Sequence, residues 1–169
     1  MRESLIYFKN LKLALEPIVS TFLTKDSLFF RRLKDLDLAL EKSRSALRES
    51  EAFDFCRACG AKGGTCCGEG LEWKLRPEEF FLNLCLFYWK KRSLILEDFQ
   101  ENTCLFLGEG GCKLELVPLL CRNFFCRELS DFLGIKKLRE IQASLEDEAK
   151  VTFQLCEYLK GRLRDEGLL

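Results

Sequence analysis

A chain of 169 residues with 47% apolar and 32% charged residues is long enough to bury a core of its own and too apolar to remain disordered. Lysine plus arginine and aspartate plus glutamate balance at 27 each, so no overall field draws in nucleic acid or an anionic membrane, and neither partner is expected. Histidine is absent, which excludes Ser–His–Asp and Cys–His mechanisms within the chain and restricts any metal site to thiolate, alone or with carboxylate.

Residues 4 to 24 read as a first helix, because Leu5, Phe8, Leu11, Leu15, Ile18 and Phe22 recur at three- and four-residue steps. Pro17 falls inside the pattern and is expected to kink the helix or split it at about Glu16. Lys25-Asp26-Ser27 supplies a stop and then an N-cap. The second helix follows, with Phe29, Leu33, Leu36, Leu40, Ser43 and Leu47 as a heptad-like stripe and charged residues opposite. It is expected as an antiparallel partner of the first helix rather than as an intermolecular coiled coil.

Residues 56 to 70 read as a cysteine loop, since no ordinary helix or strand fits the five glycines between Gly60 and Gly70. Arg76-Pro77-Glu78-Glu79 then suits a helix first turn. This helix runs to about Arg92, and its Phe80, Phe81, Leu84, Cys85, Phe87, Tyr88 and Trp89 cover more than one face, so it is expected at the centre. Between Cys104 and Leu114 the run Gly108-Glu109-Gly110-Gly111 predicts a short hairpin. Pro118 ends it, and Leu119 to Cys126 reads as a helical turn or loop. The last helix or pair of helices fills 128 to 166, with Leu138, Ile141, Leu145, Ala149, Thr152, Cys156, Leu159 and Leu163 on one face and a break at Gly134. The fold class is therefore an all-α single domain over 1–169. N-terminal helices occupy 1–52, a cysteine-cluster metal-binding region 53–128 and C-terminal helices 129–169. The middle region is expected as an irregular, glycine-rich lobe stapled by metal.

Lys9, Lys12 and Glu16 interrupt the apolar residues near the N-terminus, and runs such as Leu84 to Trp89 are far too short to span a bilayer. A cytoplasmic location with reduced thiols is expected, which turns clustered cysteines toward metal rather than disulfides. Eight of the ten cysteines cluster: Cys56, Cys59, Cys66 and Cys67, then Cys104, Cys112, Cys121 and Cys126. Two residues between Cys56 and Cys59 let a tight turn aim both sulfurs at one ion. Adjacent Cys66 and Cys67 diverge, so each is expected to face a different metal environment. Eight thiolates make two complete four-sulfur sites for two zinc ions, or an iron–sulfur cluster with a zinc. Common ferredoxin spacings are absent, which favours zinc. Cys85 and Cys156 sit inside apolar helical patterns and read as small core hydrophobes. Glu69, Glu72 and Glu109 read as solvated loop carboxylates, and Lys90-Lys91-Arg92 as cations at a helix C-terminus. For Arg122, a hydrogen bond to a thiolate and an ordinary surface position stand level.

The run Cys56-x-x-Cys59 to Cys66-Cys67, Cys104-x-Phe106-Leu107, Gly111-Cys112-x-Leu114 and Pro118-x-x-Cys121-Arg122-x-Phe124 resembles the YkgJ-type cysteine-cluster family, described as a zinc- or iron-chelating CxxCxxxxCC domain. The match covers about residues 53 to 128. Six residues stand between Cys59 and Cys66 where the family name implies four, and Val117-Pro118 stands where an Arg-Pro pair is common. The resemblance implies metal binding by the eight matching cysteines. Some flagellin lysine N-methylases carry a similar cluster, but no glycine-rich nucleotide turn follows a strand here. The expected function is a metal-binding protein whose zinc or iron–sulfur centre organises a surface for a protein or small-molecule partner. An iron–sulfur redox or methylase-like enzyme and metal delivery or buffering are the alternatives.

Overall fold

The computed structural model describes residues 2–61 and 66–167. Among these the chain is mostly helical: α1 (Glu3–Lys25), α2 (Ser27–Glu49), α3 (Ala52–Ala61), α4 (Pro77–Trp89), α5 (Leu119–Arg122) and α6 (Arg127–Asp165). A 3-10 turn spans Leu71–Lys74, and β1 (Leu107–Gly108) pairs antiparallel with β2 (Gly111–Cys112). No helix among the described residues is long and apolar enough to cross a membrane.

The helical stripes read from the sequence are the faces that pack. Phe8, Leu15 and Phe22 of α1 and Phe29, Leu33, Leu36, Leu40 and Leu47 of α2 are buried. The Asp26 carboxylate caps α2 by accepting the Phe29 amide at 2.9 Å. α1 lies along α4, while α2 lies chiefly along α6. Every residue of α4 from Glu78 to Phe87 is buried, as its all-round apolar pattern requires of a central helix. It starts with Pro77 in the first turn, and the Glu79 carboxylate accepts the Arg76 backbone amide at 3.0 Å and its guanidinium at 3.3 Å. The rings of Phe8, Phe80 and Phe106 meet with centroids 5.0 to 6.5 Å apart, tying the hairpin to α1 and α4.

Two expectations change. α1 runs unbroken through Pro17. Proline removes one backbone hydrogen bond, and the burial of Leu15, Val19 and Phe22 on either side holds the helix across the gap. Cys56 and Cys59, expected in a loop, lie on α3. The glycines begin only at Gly60, and Ala52 and Phe55 pack with Leu47, Leu129, Leu133 and Ile141 in a second, smaller core that rewards the helical conformation. The rest of the expected loop between 62 and 65 lies outside the described residues. The C-terminal segment α6 is two helical stretches that meet at a kink at Gly134, which takes φ 69° and ψ 162°, at the expected break.

Candidate metal centre

Three segments carry the clustered cysteines to one region. Cys56 and Cys59 stand three residues apart on α3 and so share a face. Helix α3 packs on the start of α6, where Phe55 stacks on Phe132 with centroids 4.8 Å apart. Cys126 is the N-cap of α6, and its sulfur accepts the Leu129 amide at 3.4 Å. On the other side of the undescribed segment, the chain returns against residues 102–104. The Cys104 amide donates to the Cys67 carbonyl at 2.8 Å, and Gly68 bridges antiparallel to Thr103. The Leu107 amide donates to the Cys104 carbonyl at 2.9 Å, and Leu107 sits across the hairpin from Cys112. Gly111 takes φ 106°, a conformation open to glycine at the turn. Cys121 follows on α5.

The segment between Cys112 and Cys121 is anchored by polar residues that the sequence analysis did not single out. Asn83, fully buried in the middle of α4, accepts the Leu116 amide and donates to the Leu116 carbonyl, both at 2.9 Å. This imitates a strand pairing with a side chain and leaves neither backbone group of Leu116 unsatisfied. Glu115 is buried and meets Arg44, Lys90 and Arg92, with Arg44 at 3.0 Å and Lys90 at 3.1 Å. Two of the three helix-terminal cations near Trp89 are thus committed to Glu115. Glu72, read as solvated, is buried and accepts the Gly70 amide at 3.0 Å and Arg2 at 2.5 Å. Arg122 lies neither on the surface nor in a hydrogen bond to sulfur. It is buried, faces Glu148 at 3.6 Å and donates to Ser43 at 3.4 Å. An asparagine amid the apolar Phe80–Leu86 run and a glutamate on the α6 apolar stripe were the available signals for Asn83 and Glu148.

All ten cysteines are free thiols. Cys85 and Cys156 are buried, as expected, and burial pushes both thiols up, Cys156 to about 12. Cys56, Cys66, Cys67 and Cys112 are exposed as residues, whereas Cys59, Cys104, Cys121 and Cys126 are half-buried. Burial of the sulfur pushes Cys104 up to about 11 and Cys112 to about 12, and neighbouring thiolates add to it. The backbone amides of Phe106 and Leu114 act the other way on these two sulfurs, by hydrogen bonding. Cys56, Cys66 and Cys67 are likewise raised, by burial first and then by one another and by Cys59, Cys121 and Cys126. Bare thiolates thus repel across this region, and the repulsion is relieved by protons or by a cation.

Among the described residues no group of three or more cysteine, aspartate or glutamate side chains is already arranged to hold a metal ion. The sulfurs of Cys104, Cys112 and Cys126 have backbone amide donors, and Arg122, near Cys112, keeps a buried Nε without a hydrogen-bond partner. No family model, curated protein or solved structure matches the chain.

Proposed function

We propose that this protein binds metal through its eight clustered cysteines, as two zinc ions or as an iron–sulfur centre, and that the metal shapes a surface for a protein or small-molecule partner. The observation that carries the reading is the gathering of thiols from three separate segments, all free, within electrostatic reach of one another and partly supplied with amide donors. Such a cluster is costly as bare thiolates and favourable around a cation. The absence of histidine keeps the set all-sulfur. The resemblance to the YkgJ-type cysteine-cluster family agrees with this reading and adds no activity to it. Exposed Leu119, Leu120 and Phe124 flank Cys121, and exposed Phe53 lies on the helix of Cys56, so apolar surface is at hand for a partner. A cytoplasmic setting, where thiols stay reduced, belongs to the same proposal.

The test is an anaerobic preparation examined by metal analysis and visible absorption. A colourless protein with about two zinc ions per chain is the result for closed four-thiolate sites. A brown protein that bleaches on reduction assigns iron–sulfur and opens electron transfer. A preparation that retains and takes up neither metal overturns the proposal.

A further inference from the structure

We infer that a cavity between the start of α4, the middle of α6 and the segment at Leu116 is a binding site for a small primary alkylamine, taken as its ammonium ion. The inference stands apart from the metal-binding reading, since no cysteine is among the described residues that line the cavity.

The cavity is about 120 Å³ and is built from three pieces of chain. Glu79 comes from the first turn of α4. Glu148 and Thr152 come from successive turns on one face of α6. Leu116 and Val117 belong to the segment that Asn83 and Glu115 fasten to the helical body, so this wall is held without help from sulfur. Arg76, Leu119 and Phe153 are the exposed lining residues and mark the mouth.

The polar groups inside have acceptor capacity to spare. Thr152 is only 7% exposed, and its Oγ1 is buried without a hydrogen-bond partner. A buried hydroxyl in that state is costly unless an occupant meets it. One carboxylate oxygen of Glu148 accepts the Ser43 hydroxyl, whereas the other has Arg122 at 3.6 Å, beyond hydrogen-bond length. Glu79 uses each oxygen once, on the Arg76 amide and guanidinium, and an ionised carboxylate can accept about four bonds. Two carboxylates and one unpartnered hydroxyl thus line a single small space.

An ammonium group matches this set. It brings three donors and a positive charge. An anion is repelled by the two carboxylates, and an alcohol brings a single donor. Leu116, Val117 and Ala149 make the rest of the cavity apolar, which suits aliphatic carbon. At a water's share of about 30 Å³ for each heavy atom, the space holds about four, the size of n-propylamine.

The test is a titration of the isotope-labelled full chain with n-propylamine, protonated at neutral pH, followed by NMR. The methyls of Val117 and Leu119 and the amides of Thr152 and Phe153 are expected to shift along one saturable curve. n-Propanol and propionate, of similar size, are expected to bind at least tenfold more weakly. Thr152→Val removes only a hydroxyl that has no partner, so stability in urea holds or rises while the affinity falls about fivefold. Ala149→Leu fills the cavity and abolishes the shifts with helix content unchanged. n-Hexylamine separates two sources of the amine. Binding as tight as that of n-propylamine makes it the end of a longer molecule that leaves by the mouth, and weaker binding makes it a free small amine. Equal binding of n-propanol overturns the site, and so does wild-type affinity in Thr152→Val. The absence of saturable shifts overturns it as well and assigns the cavity to water. Metal uptake without amine binding sinks this inference alone, whereas amine binding by a protein that takes up no metal upholds it and refutes the metal-binding reading.

Discussion

In the helical body, Phe8, Phe29, Phe80 and Phe81 are completely buried, and α1, α2, α4 and α6 supply a continuous apolar interior. At the cysteine-bearing end, Cys56, Cys66, Cys67 and Cys112 are exposed, and the only sheet among the described residues is a pair of two-residue strands. The body has the burial to fold by the hydrophobic effect, at about 1.5–3 kcal/mol for each large buried side chain. The cysteine end has backbone bonds, glycines and thiolates that repel. The difference teaches that one chain can use two means of stabilisation, with apolar burial fixing the helices and a bound cation expected to fix the sulfur ligands.

The largest expected effect breaks the two regions apart. Structural zinc sites in small domains contribute about 10–16 kcal/mol of apparent binding free energy, so chelation of the proposed metal is expected to remove most of what would order the cysteine end. Hydrogen exchange measured before and after metal removal is expected to lose protection at the amides of Cys104, Leu107 and Lys113, which close the hairpin and its docking. The amides of α1 and α4, inside the main core, keep theirs. Equal loss in both regions, or none in either, removes the distinction.

Arg122 joins the two regions, since it leaves α5 beside Cys121 and meets Ser43 of α2 and Glu148 of α6. Glu148 is itself 1% exposed and accepts the Ser43 hydroxyl. Arg122→Leu strands a buried carboxylate and is expected to cost about 3–5 kcal/mol in urea unfolding. Glu148→Leu combined with Arg122→Met replaces both charges by apolar groups and is expected to recover most of that loss. If the single and double variants are equally unstable, the pair does not act as a unit.

The sequence made the body legible because burial there has a period. Stripes at three- and four-residue steps named the interior of α1, α2 and α6, and the all-round pattern of α4 named the centre. The Asp26 cap, the Pro77 start and the Gly134 break are local chemistry and were readable for the same reason. The cysteine end was legible as a set of residues and much less as geometry. Glycine density hid the helix under Cys56 and Cys59, because the packing that favours it comes from Leu129 and Ile141, seventy or more residues away. Pro17 misled in the opposite direction, since tertiary burial outweighed a local helix breaker. The buried polar residues Glu72, Asn83, Glu115 and Arg122 were read by their usual exposure or passed over, because their partners are brought by the fold.

The smallest expected effect concerns Glu115, which fastens the segment after Cys112 to the body. Burial alone drives its carboxyl up, but Arg44 and Lys90 overcome this and leave it below the ordinary value of 4.5. A carboxylate depressed in the folded state contributes stability above its unfolded pKa and loses it as pH falls through the folded one. Glu115→Gln keeps the shape and removes the charge, with an expected cost near neutral pH of about 1–3 kcal/mol for the charge-assisted hydrogen bonds. The gap between wild type and variant in urea unfolding is expected to close as the pH is lowered below about 4, where the unfolded carboxylate protonates. Release of the proposed metal by acid would be common to both proteins and would cancel in the difference. A gap that stays constant down to pH 3 assigns the loss to packing around residue 115 rather than to the ion pairs, and the tie between the two regions is then apolar on that side as well.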